Sequence, residues 1–207
     1  MWKRIAGLSL FLSSFVGANE PHIAKPPQTS VTVECRGRLR HGVVAIGGET
    51  TGTTITFNRI VYELELKNDA DQKFAKEHHK EPVVTTGTLR KVPATESKVR
   101  WIIYVKALSE RDATKVKEGA LLTIQGILRS PTSPQGESPK FTIEAGGHVW
   151  PIDLSTDAKL PAQAKLLLGQ PVLLTGSLEL ETEEESPSPA VIRVKTLEQP
   201  AAVTGKE

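Results

Sequence analysis

Apolar and polar residues alternate along several short stretches of the chain, with the two-residue period of a half-buried β-strand. In Val31–Arg40 the odd-numbered positions are apolar or small and the even-numbered positions are polar or charged. A hairpin is predicted over Thr53–Lys67 with its turn at Asn58-Arg59, because Asn tolerates the positive φ of tight turns. The pattern then predicts a helical segment and two more strands: Ala70–Lys80, Pro82–Lys91 and Val99–Leu108.

The same order of elements recurs in the second half of the chain. Val83–Leu89 reappears as Val172–Leu178, 89 positions later, and two further matches share this offset: Gly37–Arg40 with Gly126–Arg129, and Val105–Leu108 with Val194–Leu197. At an offset of 88, Gly146-Gly147 takes the place of the first hairpin turn. The remaining elements are predicted at Pro161–Leu168, Pro171–Leu180 and Ala190–Leu197. These matches indicate that one domain is present twice.

Strand, hairpin, helix and two strands in this order resemble the OB-fold, a five-stranded Greek-key barrel. The predicted fourth strands, in Pro82–Leu89 and Gly169–Leu178, also look like the Gly-x-x-Val-x-Val-x-Gly-x-Leu pattern of bacterial OB-like domains. The resemblance implies a mainly-β fold of two tandem barrels, each with a short helix between its third and fourth strands. Repeat 1 is expected over residues 30–108 and repeat 2 over 119–198. The connector 109–118 is predicted to be a short helix or turn, because Ser109 and Asp112 resemble a capping box.

The amino terminus has the pattern of an export signal. Lys3 and Arg4 precede an apolar stretch, Ile5–Val16, and small residues follow up to Ala18. The apolar stretch is shorter than the roughly 20 residues that span a bilayer, and no later segment is long and apolar enough. We therefore expect a signal peptide over residues 1–18, cleaved after Ala18, and a soluble secreted or periplasmic protein. Residues 19–29 are expected to form a flexible leader, and 199–207 a disordered tail.

The charge of the chain is small and unevenly divided. The formal net charge is +2, and it falls to 0 when residues 1–18 are removed with Lys3 and Arg4. Residues 30–110 carry a net charge of +3 and residues 111–207 carry −3. Neither half has the basic excess of a nucleic-acid-binding domain. Tyr62, Trp101 and Trp150 fall in phase with core positions, so few aromatic rings are left for base stacking. Nucleic acid is accordingly expected to be an unlikely partner.

The single cysteine, Cys35, excludes an internal disulfide. At the offset of 89 it aligns with Ile124. A thiol at an Ile position is most simply a small buried hydrophobic residue, so a core position is favoured over a redox role or an intermolecular disulfide.

Three arginines and a histidine are the candidate ligand-binding residues. Arg36, Arg38 and Arg40 share the polar face of the first strand, and His41 follows them. Such a stripe could bind a phosphate, a nucleic acid or an acidic polysaccharide. It could equally be a solvated outer face, and this alternative is favoured because the equivalent positions in repeat 2 are Gln125, Ile127 and Arg129.

Two other features differ between the repeats and are candidate interfaces. Ile102 and Tyr104 make the second face of the fifth strand apolar as well, which predicts a cover from repeat 2, the connector or another chain. Glu183, Glu184 and Glu185 lie in an acidic segment between the last two strands of repeat 2. That segment is either a solvated loop or a contact for a basic partner.

No recognised catalytic, metal or cofactor motif is present. His78 and His79 are adjacent and lack a ligand at helical spacing, so we expect neither a metal nor another cofactor. The leading hypothesis is an exported, non-enzymatic binding or scaffolding protein with a protein or polysaccharide partner at the cell envelope. The alternatives are an accessory domain for polysaccharide or another anionic ligand and, with least support, an enzyme of unrecognised type. Partner identity and oligomeric state stay open.

Overall fold

The computed structural model describes residues 29–44, 50–57, 60–94, 98–110, 118–130, 141–180 and 190–200. In these ranges the chain forms ten strands and two helices, so the mainly-β prediction is confirmed. The first five strands are β1 (Ser30–Val44), β2 (Thr50–Phe57), β3 (Ile60–Glu65), β4 (Pro82–Ala94) and β5 (Lys98–Glu110), with α1 (Asp69–Glu77) between β3 and β4. The others are β6 (Gly119–Arg129), β7 (Thr142–Ala145), β8 (His148–Asp153), β9 (Pro171–Leu180) and β10 (Ala190–Glu198), with α2 (Leu160–Leu166) between β8 and β9.

Strands β1 to β5 close into a barrel. They pair in the order β2-β3-β5-β4-β1, and β1 also pairs with β2, which completes the ring. The pair β3–β5 is parallel and the other pairs are antiparallel. Every second residue of each strand enters the barrel, and among these Leu39, Ile55, Tyr62 and Ile103 are fully buried.

Strands β6 to β10 follow the same order of pairing. They run β6-β7-β8-β10-β9, and β6 also pairs with β9. The turn between β7 and β8 is Gly146-Gly147, whose φ angles are 57° and 78°, as the sequence predicts.

One antiparallel pairing joins the two sets of strands. In it β1 lies beside β6, with Ser30 opposite Gln125 and Arg36 opposite Gly119. At the centre of the pairing Val33 lies opposite Leu122. These two residues are 89 positions apart, which is the offset of the sequence matches. Antiparallel strands that meet at equivalent positions are related by a local two-fold axis, which here passes beside Val33 and Leu122.

The same close contact is found on both sides of this axis. A Cβ on Gly87 would lie 2.2 Å from the carbonyl oxygen of Tyr104. A Cβ on Gly176 would lie 2.5 Å from the carbonyl oxygen of Arg193. Both positions therefore require glycine, because β4 and β9 approach the backbone of their partner strands too closely for a side chain.

The cysteine and three aromatic residues lie in the core, as the sequence predicts. Cys35 and Tyr62 are fully buried, and Trp150 and Trp101 are nearly so. Burial, with a smaller effect from the charge of Glu118, raises the pKa of Cys35 to about 12. The thiol is therefore protonated at neutral pH and is a poor nucleophile. The Trp101 and Trp150 rings, with centroids 5.8 Å apart, pack the first half of the chain against the second.

The first two residues of the predicted connector belong to a strand in the structure. Ser109 and Glu110 are the last residues of β5, where they pair with Val84 and Val83. Ser109 is thus part of a strand and does not cap a helix. Residues 111–117 lie outside the described ranges, as do the predicted signal peptide, residues 19–28 of the leader and residues 201–207. In the described part of the chain, neither helix is long and apolar enough to cross a membrane.

Candidate ligand-binding face

The outer surface of β1, β2 and β3 forms a face with two rows of side chains. In the first row Arg38 lies opposite Thr56, which lies opposite Val61. The second row runs from Arg40 to Thr54, which is only 3% exposed, and then to Glu63. We call these two rows the β1–β3 face.

The predicted arginine stripe divides into two parts. Arg36 makes an ion pair with the adjacent Glu34, which compensates its charge. Arg38 is exposed, and its Nη1 donates to the carbonyl oxygen of Lys80 at 3.2 Å. Arg40 is exposed as well, and no carboxylate pairs with it in the described ranges. Two of the three predicted guanidinium groups therefore keep a charge that an anion could neutralise.

His41 supports this face from the edge. Its Nδ1 lies 2.8 Å from Oγ1 of Thr53, and its backbone N–H donates to Nδ1 of His79 at 3.0 Å. The backbone N–H of Lys80 donates to the carbonyl oxygen of Leu39 at 2.8 Å. These bonds hold the segment after α1 against the second half of β1. The prediction did not include His79 and Lys80, whose proximity to β1 depends on the path of the chain after the helix.

The carboxylate on the face is already occupied. Glu63 Oε1 accepts from Nε of Arg100 at 2.7 Å, and a second bond joins the same two groups. Glu63 therefore does not compensate the charge of Arg38 or Arg40. Beside it, Val61 is 50% exposed, so the face offers an apolar contact on its β3 side.

Two arginines in the second half of the chain are paired with carboxylates. Arg129, which follows Arg40 by 89 residues, donates to Glu144 at 3.1 Å. Arg193 lies 3.1 Å from Glu179 and 3.6 Å from Asp153. Partial burial acts to raise the pKa of Asp153, but hydrogen bonds from Ser155 and the charge of Arg193 lower it overall. These two guanidinium groups of the second half are therefore already engaged by carboxylates.

The two predicted interface features have different outcomes. Ile102 and Tyr104 are half-buried on the outside of β5, and Cζ of Arg90 lies 4.8 Å from the centroid of the Tyr104 ring. This arginine belongs to the neighbouring strand β4, so the cover expected from repeat 2, the connector or another chain stays a prediction. Glu183, Glu184 and Glu185 lie outside the described residues.

A cleft of about 220 Å³ lies where the first half of the chain meets the second. It is lined by Lys91, Pro93, Val99, His148 and Val149. The prediction did not include it, although one signal was available. Val149 and Val61 occupy equivalent positions at an offset of 88, and both are out of phase with the buried residues of their strands.

The remaining histidine of the adjacent pair, His78, contacts other side chains of the protein. His78 contacts Glu81 through Nδ1 at 2.7 Å and Glu110 through Nε2 at 3.5 Å, and its ring stacks on Phe74. Among the described residues, no group of three or more His, Cys, Asp or Glu side chains could hold a metal ion.

Two solved structures share the fold. One is a deletion mutant of the single-stranded DNA binding protein from Thermus aquaticus, with a TM-score of 0.55 and 13% identity over 84% of this chain and 95% of that chain. The other is the wild-type form of the same protein, with a TM-score of 0.53 and 12% identity over 87% and 97%. No protein-family model and no curated protein sequence matches the chain. With the closed barrel, the likeness supports an OB-like fold.

The expectation that nucleic acid is an unlikely partner is wrong, since both structures that share the fold are of single-stranded DNA binding proteins. That expectation depended on the net charge of each half and on the few aromatic residues. The net charge does not show the local arrangement, in which Arg38 and Arg40 lie together on one strand while Arg36 and Arg129 are paired with carboxylates. Electrostatic binding to a phosphate backbone depends on such local charge and needs no aromatic ring.

Proposed function

We propose that the protein is a non-catalytic binding protein made of two OB-like units, and that the β1–β3 face of the first unit binds single-stranded DNA. The observation that carries this proposal is the pair of exposed cations, Arg38 and Arg40, on the outer surface of the barrel. OB-folds bind oligonucleotides on the surface of their second and third strands and on the adjoining loops. The two arginines lie on β1 directly beside that surface.

The chemistry of the face favours contacts with the DNA backbone over contacts with bases. Guanidinium groups bind phosphate oxygens with two parallel hydrogen bonds. Thr56 adds a hydroxyl group between Arg38 and Val61, which provides an apolar contact. Phosphate contacts fix the position of a strand without reading its sequence. We therefore expect binding that is weakly dependent on sequence and strongly dependent on salt.

The chain offers a matched pair of variants to test this proposal. Arg40 and Arg129 are equivalent in the repeat, but only Arg129 is paired with a carboxylate, that of Glu144. Binding of a fluorescent oligothymidylate would be measured by anisotropy over a series of salt concentrations. For single strands the logarithm of the affinity falls with the logarithm of the salt concentration by about 0.7 for each phosphate contacted.

We expect Arg40→Gln to reduce this salt slope by about 0.7 and to weaken binding several-fold at low salt. Arg129→Gln should leave both quantities almost unchanged, because that guanidinium is already engaged. Equal effects of the two substitutions would contradict the proposal. If the protein ignored the oligonucleotide but bound a heparin-like polysaccharide, the anionic-polysaccharide alternative would replace it.

We also propose that the protein is exported, because Lys3 and Arg4 precede an apolar stretch and Ala18 follows it. The DNA that it binds would then be extracellular. Expression of the full chain in a bacterium, with fractionation and amino-terminal sequencing, tests this point. We expect an extracytoplasmic product that begins at Asn19; a cytoplasmic product that still begins at Met1 would refute export.

A further inference from the structure

The cleft between the two halves of the chain has a defined construction. One wall is the end of the β4–β5 hairpin, where Lys91 pairs with Trp101 and Pro93 pairs with Val99. The other wall is the start of β8, at His148 and Val149. The cleft therefore exists only because the hairpin of the first half meets the second half.

Two buried indole rings hold the walls in place. Trp101, opposite Lys91, packs against Trp150, which follows Val149. Nε1 of Trp150 donates to the carbonyl oxygen of Ala145 at 3.0 Å. The His148 ring meets the Trp150 ring edge to face, with centroids 6.2 Å apart. Because these rings are packed and hydrogen-bonded, the cleft does not depend on a ligand to form.

The lining of the cleft combines apolar walls with two polar groups. Pro93, Val99 and Val149 provide the apolar surface, while Lys91 provides a positive charge and His148 a ring nitrogen. The volume of about 220 Å³ is below the roughly 300 Å³ at which pockets for drug-sized ligands begin. A ligand that matches both features is a single flat ring that carries an anionic group.

We propose that this cleft binds one nucleotide of the single-stranded DNA, with the base between the apolar walls and the phosphate at Lys91. The proposal depends on the function proposed above, and it adds a place for a base that the β1–β3 face lacks. It also explains why binding needs no exposed aromatic residue. Val149 and Pro93 provide an apolar contact for the base, and Lys91 provides a positive charge for its phosphate.

An exposed apolar residue away from the cleft and from the β1–β3 face supplies a control. Leu166 on α2 is 78% exposed and Val149 is 55% exposed. Of the two, Val149 lines the cleft. The substitutions Val149→Gln and Leu166→Gln therefore each replace an exposed aliphatic side chain by an amide, inside and outside the proposed site.

The experiment uses the two tryptophans beside the cleft as probes. In the full chain with Trp2→Phe, only Trp101 and Trp150 fluoresce, and the chain is titrated with thymidine monophosphate, thymidine and inorganic phosphate. We expect a saturable change in emission with thymidine monophosphate, and affinities at least about fivefold lower for thymidine and for phosphate, since each lacks one of the two contacts. Lys91→Gln and Val149→Gln should each weaken binding of the nucleotide about fivefold, and Leu166→Gln by less than about twofold.

Two results would overturn the proposal: the absence of a saturable change with the nucleotide, or equal weakening by Leu166→Gln and Val149→Gln. The oligonucleotide assay separates this failure from failure of the proposed function. If oligothymidylate binding depends on Arg40 but not on Lys91 or Val149, the cleft proposal is wrong and the proposed function stands. If the nucleotide binds in the cleft but oligothymidylate binding does not depend on Arg40, the β1–β3 face is wrong. Circular dichroism of each variant verifies that it is folded.

Discussion

Replacement of Tyr62 by Phe should stabilise the protein, because the tyrosine hydroxyl group is buried without a hydrogen bond. The side chain is fully buried inside the barrel, and its Oη has no partner among the described residues. Burial, with an additional effect from Cys35, raises the pKa of Tyr62 far above its ordinary value. The folded barrel thus keeps this hydroxyl group protonated, but it provides no hydrogen bond to replace those that the group makes with water in the unfolded chain.

The expected gain follows from two opposing contributions. An unsatisfied buried polar group costs about 1–3 kcal/mol, which the substitution recovers. The missing oxygen leaves a void of about 15 Å³, and at about 24 cal/mol per Å³ this costs only ~0.4 kcal/mol. The net gain is therefore about 0.6–2.6 kcal/mol. For a chain of this size, each kcal/mol raises the melting temperature by about 2–4 °C.

Thermal unfolding followed by circular dichroism at pH 7, with urea unfolding in parallel, would measure this gain. Tyr104→Phe is the control, since Tyr104 lies half-buried on the outside of the barrel under Arg90 and should not gain stability. A fall in stability of about 1 kcal/mol in Tyr62→Phe would refute the reasoning, because it would show that the hydroxyl group forms a stabilising bond. The pH dependence gives a second test. The unfolded chain loses the Tyr62 proton near pH 10.0, whereas the folded chain retains it, so wild-type stability should fall above that pH more steeply than that of Tyr62→Phe.

Three further predictions concern the fold. Cys35 should react with a thiol reagent only on unfolding, and rapid labelling of the native protein would contradict its burial. Because its pKa is raised, the free energy of unfolding of the wild type should fall between pH 9.0 and about 12 by up to about 1.4 kcal/mol per pH unit, and Cys35→Val should lack this loss. Gly87→Ala should cost at least about 2 kcal/mol in urea unfolding because its Cβ would meet the backbone of Tyr104, whereas Gly119→Ala, with no atom within 4 Å of the added Cβ, should stay within about 0.5 kcal/mol. Asn68→Ala should cost about 1 kcal/mol, because Oδ1 of Asn68 accepts from the first turn of α1 at 2.8 Å; an unchanged midpoint would show that this cap contributes nothing.

The sequence was a good guide to the barrel because its strands are half-buried, so that one face must be apolar at every second residue. The alternation in Val31–Arg40 is observed in β1, and α1 lies between β3 and β4 as predicted. The repeat helped as well, since Ile124 identified Cys35 as a core position. The length of β5 was less predictable, because Ser109 and Glu110 are polar and their place in the strand depends on pairing with β4.

The candidate site was less predictable, because its chemistry depends on neighbours across strands. Arg36, Arg38 and Arg40 are equivalent in the alternating pattern, yet only Arg36 contacts Glu34. No periodicity distinguishes Arg40 from Arg129, since the partner of Arg129 is Glu144 on another strand. The cleft depends on contacts between residues more than 45 positions apart, and these follow from the pairing of β1 with β6.

The local two-fold axis shows why the differences between the two halves of the chain matter for ligand binding. If the chain were two identical units, the axis beside Val33 and Leu122 would make every surface occur twice. A ligand-binding surface would then be present on both units, and a single strand of DNA, which has a direction, would meet them in opposite orientations. Arg129 and Arg193 are engaged by carboxylates, while Arg38 and Arg40 are not paired with one among the described residues. We infer that the second half of the chain supports the first: β6 pairs with β1, and Val149 contributes one wall of the cleft. Variants of the second unit should therefore weaken DNA binding at that wall and leave the salt slope set by Arg40 unchanged.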